Sequence, residues 1–230
     1  MSMLALLQAN DPVAHAEPSW VTLTYLVAAI LFIFGLKGLT HPRTAVRGNL
    51  LSAVGMLVAI VVTLIHWHIL SSAWVLVGLA IGSIVGGALA VRIQMTAMPQ
   101  MVAAFNGLGG GASAFVAGYA LAEPPIDAGT AFYIATFLST VIGAVTLSGS
   151  MVAFAKLQEL MSGQAIRFPA QGLVNAALFL ICVGVGVFLT RGTEYAMAFY
   201  WALFSVATIL GVLLVIPIGG ADMPVVISLL

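Results

Sequence analysis

The sequence predicts an all-α, polytopic transmembrane helical bundle with seven complete helices and the start of an eighth. Three observations carry this. Hydrophobic residues make up 62% of the 230 and charged residues 6%, with a mean hydropathy of +1.18, which does not describe a soluble domain. Apolar windows recur at about 17 to 25 residues, the length a helix needs to cross a hydrocarbon core of about 30 Å. No window alternates polar with apolar residues, which disfavours a barrel.

The elements follow in order. Residues 1–19 read as an extracytoplasmic N-terminal segment. Ala14-His15-Ala16 imitates a cleavage site, but the apolar run before it is only Met3 to Leu7 and no basic stretch precedes it, so no cleaved signal is expected. Residues 20–230 read as the membrane domain. Its windows are Trp20 to Leu39, Leu50 to Trp67, Trp74 to Val91, Met98 to Leu121, Ala131 to Ala155, Gln171 to Thr190 and Ala196 to Ile218, with an eighth beginning at Met223.

Charge placement gives an expected orientation. Lys37, Arg43 and Arg47 follow the first window, Arg92 the third, and Lys156 and Arg167 the fifth; these connections are expected to be cytoplasmic. The opposite set carries Asp11, Glu17, Glu123 and Asp127, with Arg191 beside Glu194. The N-terminus is therefore expected outside, and loops 40–49, 92–97, 156–170 and 219–222 on the inner face.

Several functions are disfavoured. Seven basic residues against seven acidic ones supply no basic face for nucleic acid. The single cysteine, Cys182, permits neither an intrachain disulfide nor a cysteine-rich metal site, and reads as a small packing residue. His15 and His41 lie outside the windows, and His66 and His68 at the outer end of the second. No connection is long enough for a soluble domain. No catalytic residue, cofactor-binding residue or metal ligand is assigned.

The polar groups at bilayer depth are informative, because they are costly there. Met95 to Ser113, MTAMPQMVAAFNGLGGGAS, opens a helix with Met-Pro and then places Asn106 and four glycines in the window. At about 1.5 Å per residue, Asn106 lies roughly 12 Å along a helix starting near Met98. Asp222-Met223-Pro224 repeats the Met-Pro start, and the position matching Asn106 would be 231. Asn106 orients water or bonds another helix; it does not titrate at ordinary pH. Gly107 to Ala112 formally matches a dinucleotide fingerprint but lies inside a membrane helix, without the strand that motif needs. Gly107 and Gly111 are better read as sites of close helix approach, and Gly78, Gly82 and Gly86 as a second packing face. Ser139, Thr140, Thr146, Ser148, Ser150 and Asn175 lie in the fifth and sixth windows. Each hydroxyl alone reads as bonded to its own helix, but together they point the fifth helix toward protein or water.

Three runs, MPQMVAAFNGLGGGAS, GAVTLSGSMVAFAKLQ at 143–158 and IGGADMPVVISL, resemble in order and spacing the membrane domain of the beta subunit of proton-translocating NAD(P) transhydrogenase. The resemblance covers residues 20–230. It implies a proton-channel domain in a bacterial inner (plasma) membrane, assembled with an alpha subunit in a homodimer of the complex, while hydride passes between NADH and NADP in peripheral domains. NAD and NADP would be bound by those domains, not by this chain; family beta subunits continue through two more helices into an NADP-binding domain. Asn106 falls where some members carry a histidine central to proton conduction and others an asparagine. Ser150 matches the serine of a T-G-S segment thought to line the proton path, here Ser148-Gly149-Ser150. Asp222 matches the acidic residue where membrane and nucleotide domains meet, a candidate for coupling. A secondary transporter and a purely structural membrane subunit are the alternative functions.

Overall fold

Seven apolar helices long enough to span a membrane, and an eighth short one, make up the computed structural model, which describes residues 18–66, 73–125, 128–191 and 195–230. The helices are α1 (Ser19–Leu39), α2 (Ala45–His66), α3 (Ala73–Arg92), α4 (Met98–Ala122), α5 (Thr130–Leu157), α6 (Gln171–Leu189), α7 (Ala196–Val215) and α8 (Met223–Leu229). Three-residue 3-10 turns precede α4 at Met95–Ala97 and α8 at Gly220–Asp222. No strand occurs among the described residues. His15, Trp67, His68, Asp11, Glu17, Asp127 and Glu194 lie outside them.

Three boundaries differ from the sequence expectation. The second helix starts at Ala45 rather than Leu50, so Arg47 sits in its first turn and not in a loop. Thr44 Oγ1 donates to the carbonyls of Gly38 at 2.7 Å and His41 at 3.2 Å, which closes the turn within a few residues and lets the helix resume. Lys156 lies in the last turn of α5, buried, rather than in the following loop. α7 stops at Val215, before Ile218, because Pro217 has no amide to bond to the Leu213 carbonyl, which accepts instead from Gln171 Nε2 at 2.9 Å.

The described residues form two compact units, one ending at Val91 and the other beginning at Arg92. In the first, α1 and α2 pair closely. Their buried positions repeat every seven residues, Val21, Ala28 and Gly35 on one helix and Gly48, Gly55 and Val62 on the other, the period of a coiled-coil seam. A Cβ at Gly48 would stand 2.6 Å from the Gly35 carbonyl oxygen, so glycine is required at that crossing. Tyr25 and Thr63 share a 2.8 Å hydrogen bond farther along. α3 buries none of its residues.

The second unit is organised around α5, which has the most buried positions of any helix, among them Thr136, Thr140, Thr146, Ser148 and Ser150. α4, α6, α7 and α8 all pack on it. Gly110 and Gly143 bring α4 and α5 together: a Cβ at Gly143 would stand 2.5 Å from the Gly110 carbonyl oxygen. α7 seats Tyr200 against α4, where the phenol donates to the Ala114 carbonyl at 2.8 Å over the bare backbone of Gly118. A buried phenol keeps its partner because an unmet donor is costly there. Tyr200→Phe is expected to lower stability by about 1 kcal/mol, read as a drop in thermal unfolding midpoint in detergent; an unchanged midpoint would mean that the bond contributes nothing net. Outward-facing Leu, Ile, Val and Phe cover the helices' remaining surface, as hydrocarbon contact requires.

Candidate functional site

The two Met-Pro helix starts come together. In α4 and α8 the proline occupies the first turn, where its missing amide would have no intrahelical partner anyway. Met98, Pro99 and Val102 of α4 face Pro224 and Ile227 of α8 across a groove of about 340 Å³. Behind it, buried Ala103, Val152, Ala153, Val215, Met223 and Ile227 form one apolar cluster joining α4, α5, α7 and α8. Two polar side chains line the groove, Asn106 and Ser228. Ser228 donates within its own helix, to Val225 at 2.6 Å.

Asn106 does not stay within its helix. Its Nδ2 donates to Ser150 Oγ at 3.0 Å, joining α4 to α5 across 44 residues of sequence. Ser150 is fully buried while Asn106 is half-buried, so the pair runs from the groove into the α4–α5 seam. The seam stays narrow because the neighbouring positions are small: a Cβ at Gly107 would stand 3.2 Å from Ser150 Cβ and 2.7 Å from Met151 Cε, and one at Gly111 3.3 Å from the Leu147 side chain.

Two further polar rungs lie on the same seam. Toward the α4 start, Gln100 Nε2 donates to the Leu157 carbonyl at 3.2 Å, and its Oε1 is buried with no partner among the described residues. Toward the other end, the Ser113 and Ser139 hydroxyls stand 2.8 Å apart and Ser139 Oγ reaches the Ser113 carbonyl at 3.1 Å. On α4 the rungs lie six and seven residues apart, about 9 to 11 Å along the helix. That exceeds one hydrogen bond, so a proton moving between rungs needs intervening water.

The remaining hydroxyls divide. Ser148 and Thr140 bond back to Ala144 and Thr136, at 2.9 and 2.7 Å, the local pattern expected of membrane-helix hydroxyls. Thr146 instead donates to the Leu230 carbonyl at 2.6 Å, tying α5 to the end of α8. Asn175 Oδ1 is buried without a partner among the described residues. Asp222 is exposed at the end of the 3-10 turn before α8 and makes no side-chain capping bond. Gly78, Gly82 and Gly86 lie on α3 where an added Cβ would meet nothing within 4 Å. No group of three metal-ligating side chains occurs among the described residues.

Sequence reading named Asn106 and Ser150 but missed Gln100 and Ser113. Ser113 was detectable, since seven residues return a helix to nearly the same face and Asn106 to Ser113 is such a step. Gln100 carried no such signal.

This arrangement of Met-Pro starts, a glycine-narrowed seam and a buried Asn–Ser contact lies within residues 21–230, all matched by the family model for the NAD(P) transhydrogenase beta subunit. The chain belongs to that family. Two NAD(P) transhydrogenase beta subunits from Rhodospirillum rubrum, one from a named strain, are each 44% identical to it over 215 residues, covering 90% of this chain and 46% of the relative. The chain thus spans about half the length of the curated relatives it matches. With its seven apolar spans, this beta-subunit family member is an integral membrane protein.

Proposed function

We propose that this chain is the proton-translocating membrane part of an NAD(P) transhydrogenase, coupling proton movement to hydride transfer between NADH and NADP in peripheral domains outside it. The carrying observation is the 3.0 Å contact between Asn106 and Ser150 at the groove edge. An amide and a hydroxyl each donate and accept, so together they orient water without titrating; the proton is relayed rather than stored. The groove's volume has room for on the order of ten waters at about 30 Å³ each. Asp222, exposed beside the start of α8, is the candidate for contact with a nucleotide-binding domain. The α4 and α8 starts share one groove, a parallel pair, whereas transporter midplane sites typically use inverted repeats.

In this reading the chain assembles with an alpha subunit in a two-fold complex in a bacterial inner membrane, N-terminus outside. Basic Lys37, Arg43, Arg47 and Arg92 support that orientation. Single cysteines placed at Arg47 and Glu123 are expected to react with an impermeant thiol reagent from opposite sides of a sealed vesicle; labelling from one side would contradict it.

The function is tested by reconstituting the complete beta subunit with its alpha partner in vesicles and following lumenal pH during NADH-driven reduction of NADP. Ser150→Val is expected to reduce proton movement and coupled hydride transfer together. Wild-type proton movement in that variant would overturn the assignment.

A further inference from the structure

The site leaves one charged side chain unexplained. Lys156 lies in the last turn of α5 and is 3% exposed. Its ammonium has three protons to donate, and three carbonyl oxygens meet it: Ile216 at 2.6 Å, Ile218 at 2.7 Å and Gln164 at 3.2 Å. No carboxylate within ion-pair distance appears among the described residues. Burying a cation is costly unless its donors are satisfied, so this geometry serves some purpose beyond marking a cytoplasmic loop.

Its partners show what the purpose is. α7 ends at Val215 with no basic residue in its last turn, and the carbonyls just past a helix end lack intrahelical donors and carry the negative pole of the helix dipole. Lys156 reaches over from α5 to bring a charge and an ammonium donor to the Ile216 and Ile218 carbonyls. The same loop is tied twice more: Ile166 N donates to the Ile216 carbonyl at 3.3 Å, and Gly220 N to the Gly163 carbonyl at 2.8 Å. The segment 163–166 folds over the α5 end because Glu159 takes left-handed backbone (φ 58°), with the amides of Leu160 and Met161 turned back on the Ala155 carbonyl at 2.9 and 3.2 Å. The clamped turn, 216–222, leads directly into Asp222 and the Met223-Pro224 start of α8. Six residues before Lys156 on the same helix is Ser150. One rigid element therefore carries the Asn106 contact in the membrane and, about 9 Å along its axis, the clamp on the turn that bears Asp222.

We propose that Lys156 is a positioning residue for coupling: its ammonium, bound to the Ile216, Ile218 and Gln164 carbonyls, locks the α7–α8 turn to α5, so that Asp222 and the α8 start are held in fixed relation to the Asn106–Ser150 contact. This rests on the proton-path reading above. A shift of α5 at Ser150 is passed to Asp222 through the clamp, and a load at Asp222 is passed back.

The test uses the complete beta subunit assembled with its alpha partner, comparing Lys156→Met, which keeps the stem and loses the charge and donors, with Lys156→Arg, which keeps both. Each is also made in a Cys182→Ala background carrying an Ala221→Cys reporter beside Asp222. Lys156→Met is expected to lower proton-coupled transhydrogenation about tenfold, the loss of a charge-assisted bond set worth more than 1.4 kcal/mol, while hydride exchange that moves no proton stays within about twofold. Thiol labelling at the reporter is expected to accelerate several-fold, and Lys156→Arg to restore both readouts most of the way. Unchanged labelling in Lys156→Met overturns the clamp, and accelerated labelling with wild-type coupling overturns its part in coupling. If Lys156→Met does not assemble, Lys156→Gln, which retains two donors, is measured by the same criteria. Asn106→Leu is run in parallel: if it too leaves coupling intact, the proton-path reading fails, whereas loss of coupling there with none in the lysine variants removes the Lys156 proposal alone.

Discussion

Asn106→Leu, in the complete beta subunit assembled with its partner, is expected to slow proton-coupled transhydrogenation by about tenfold or more, the rate equivalent of losing one hydrogen bond of about 1.4 kcal/mol in the transition state. Leucine has nearly the same volume but neither donates nor accepts. The change therefore strips Ser150 of the 3.0 Å donor it has from α4 and removes one of the two polar side chains lining the groove. Hydride exchange between bound nucleotides that moves no proton should survive better, because the proposed function places the nucleotide sites in peripheral domains. If the amide served only as a link between helices, the loss would appear instead as lowered thermal stability, on the order of 1 kcal/mol, with full coupled turnover per folded complex. Measuring both quantities on one preparation separates the two.

Gly143→Leu is expected to be the most damaging substitution to the fold. A Cβ there stands 2.5 Å from the Gly110 carbonyl oxygen and 2.9 Å from Ala114 Cβ and N. Backbone atoms cannot swing aside as a flexible side chain does, so α4 and α5 must separate. Overpacking of this kind costs about 1 to 3 kcal/mol, and here it also opens the seam that holds Asn106 against Ser150. Folded protein recovered in detergent should fall sharply, with a lower unfolding midpoint. Gly109→Leu is the matched control, since a Cβ at Gly109 meets nothing within 4 Å; equal stability of the two variants would show that the α4–α5 crossing is not close.

Much of this molecule is legible in its sequence because hydrocarbon imposes a length. All seven spans lie near the expected windows, and the shifts at Ala45, Lys156 and Val215 come from the turn closed by Thr44, the inward turn of a lysine and the backbone effect of Pro217. What resists reading is pairing. Asn106 and Ser150 each stand out as polar residues at depth, but nothing local says that residues 44 apart share a hydrogen bond. The Gly35–Gly48 crossing was missed for another reason: its small residues repeat every seven positions, mixed with Val and Ala. Lys156 was hidden by its own plausibility. A basic residue at a helix end looks like a topological marker, and only the carbonyls around its ammonium reveal the clamp.

The central claim, that Asn106 and Ser150 act as one unit in proton movement, is tested most directly by a double-mutant cycle on proton-coupled turnover. Asn106→Ala and Ser150→Ala, singly and together, are compared in the complete assembled protein, with proton-independent hydride exchange as the reference for nucleotide-site integrity. Because either change removes the same contact, the double variant is predicted to lose little more than the worse single one, a coupling energy of about 1 kcal/mol or more. Losses that simply add would contradict the account.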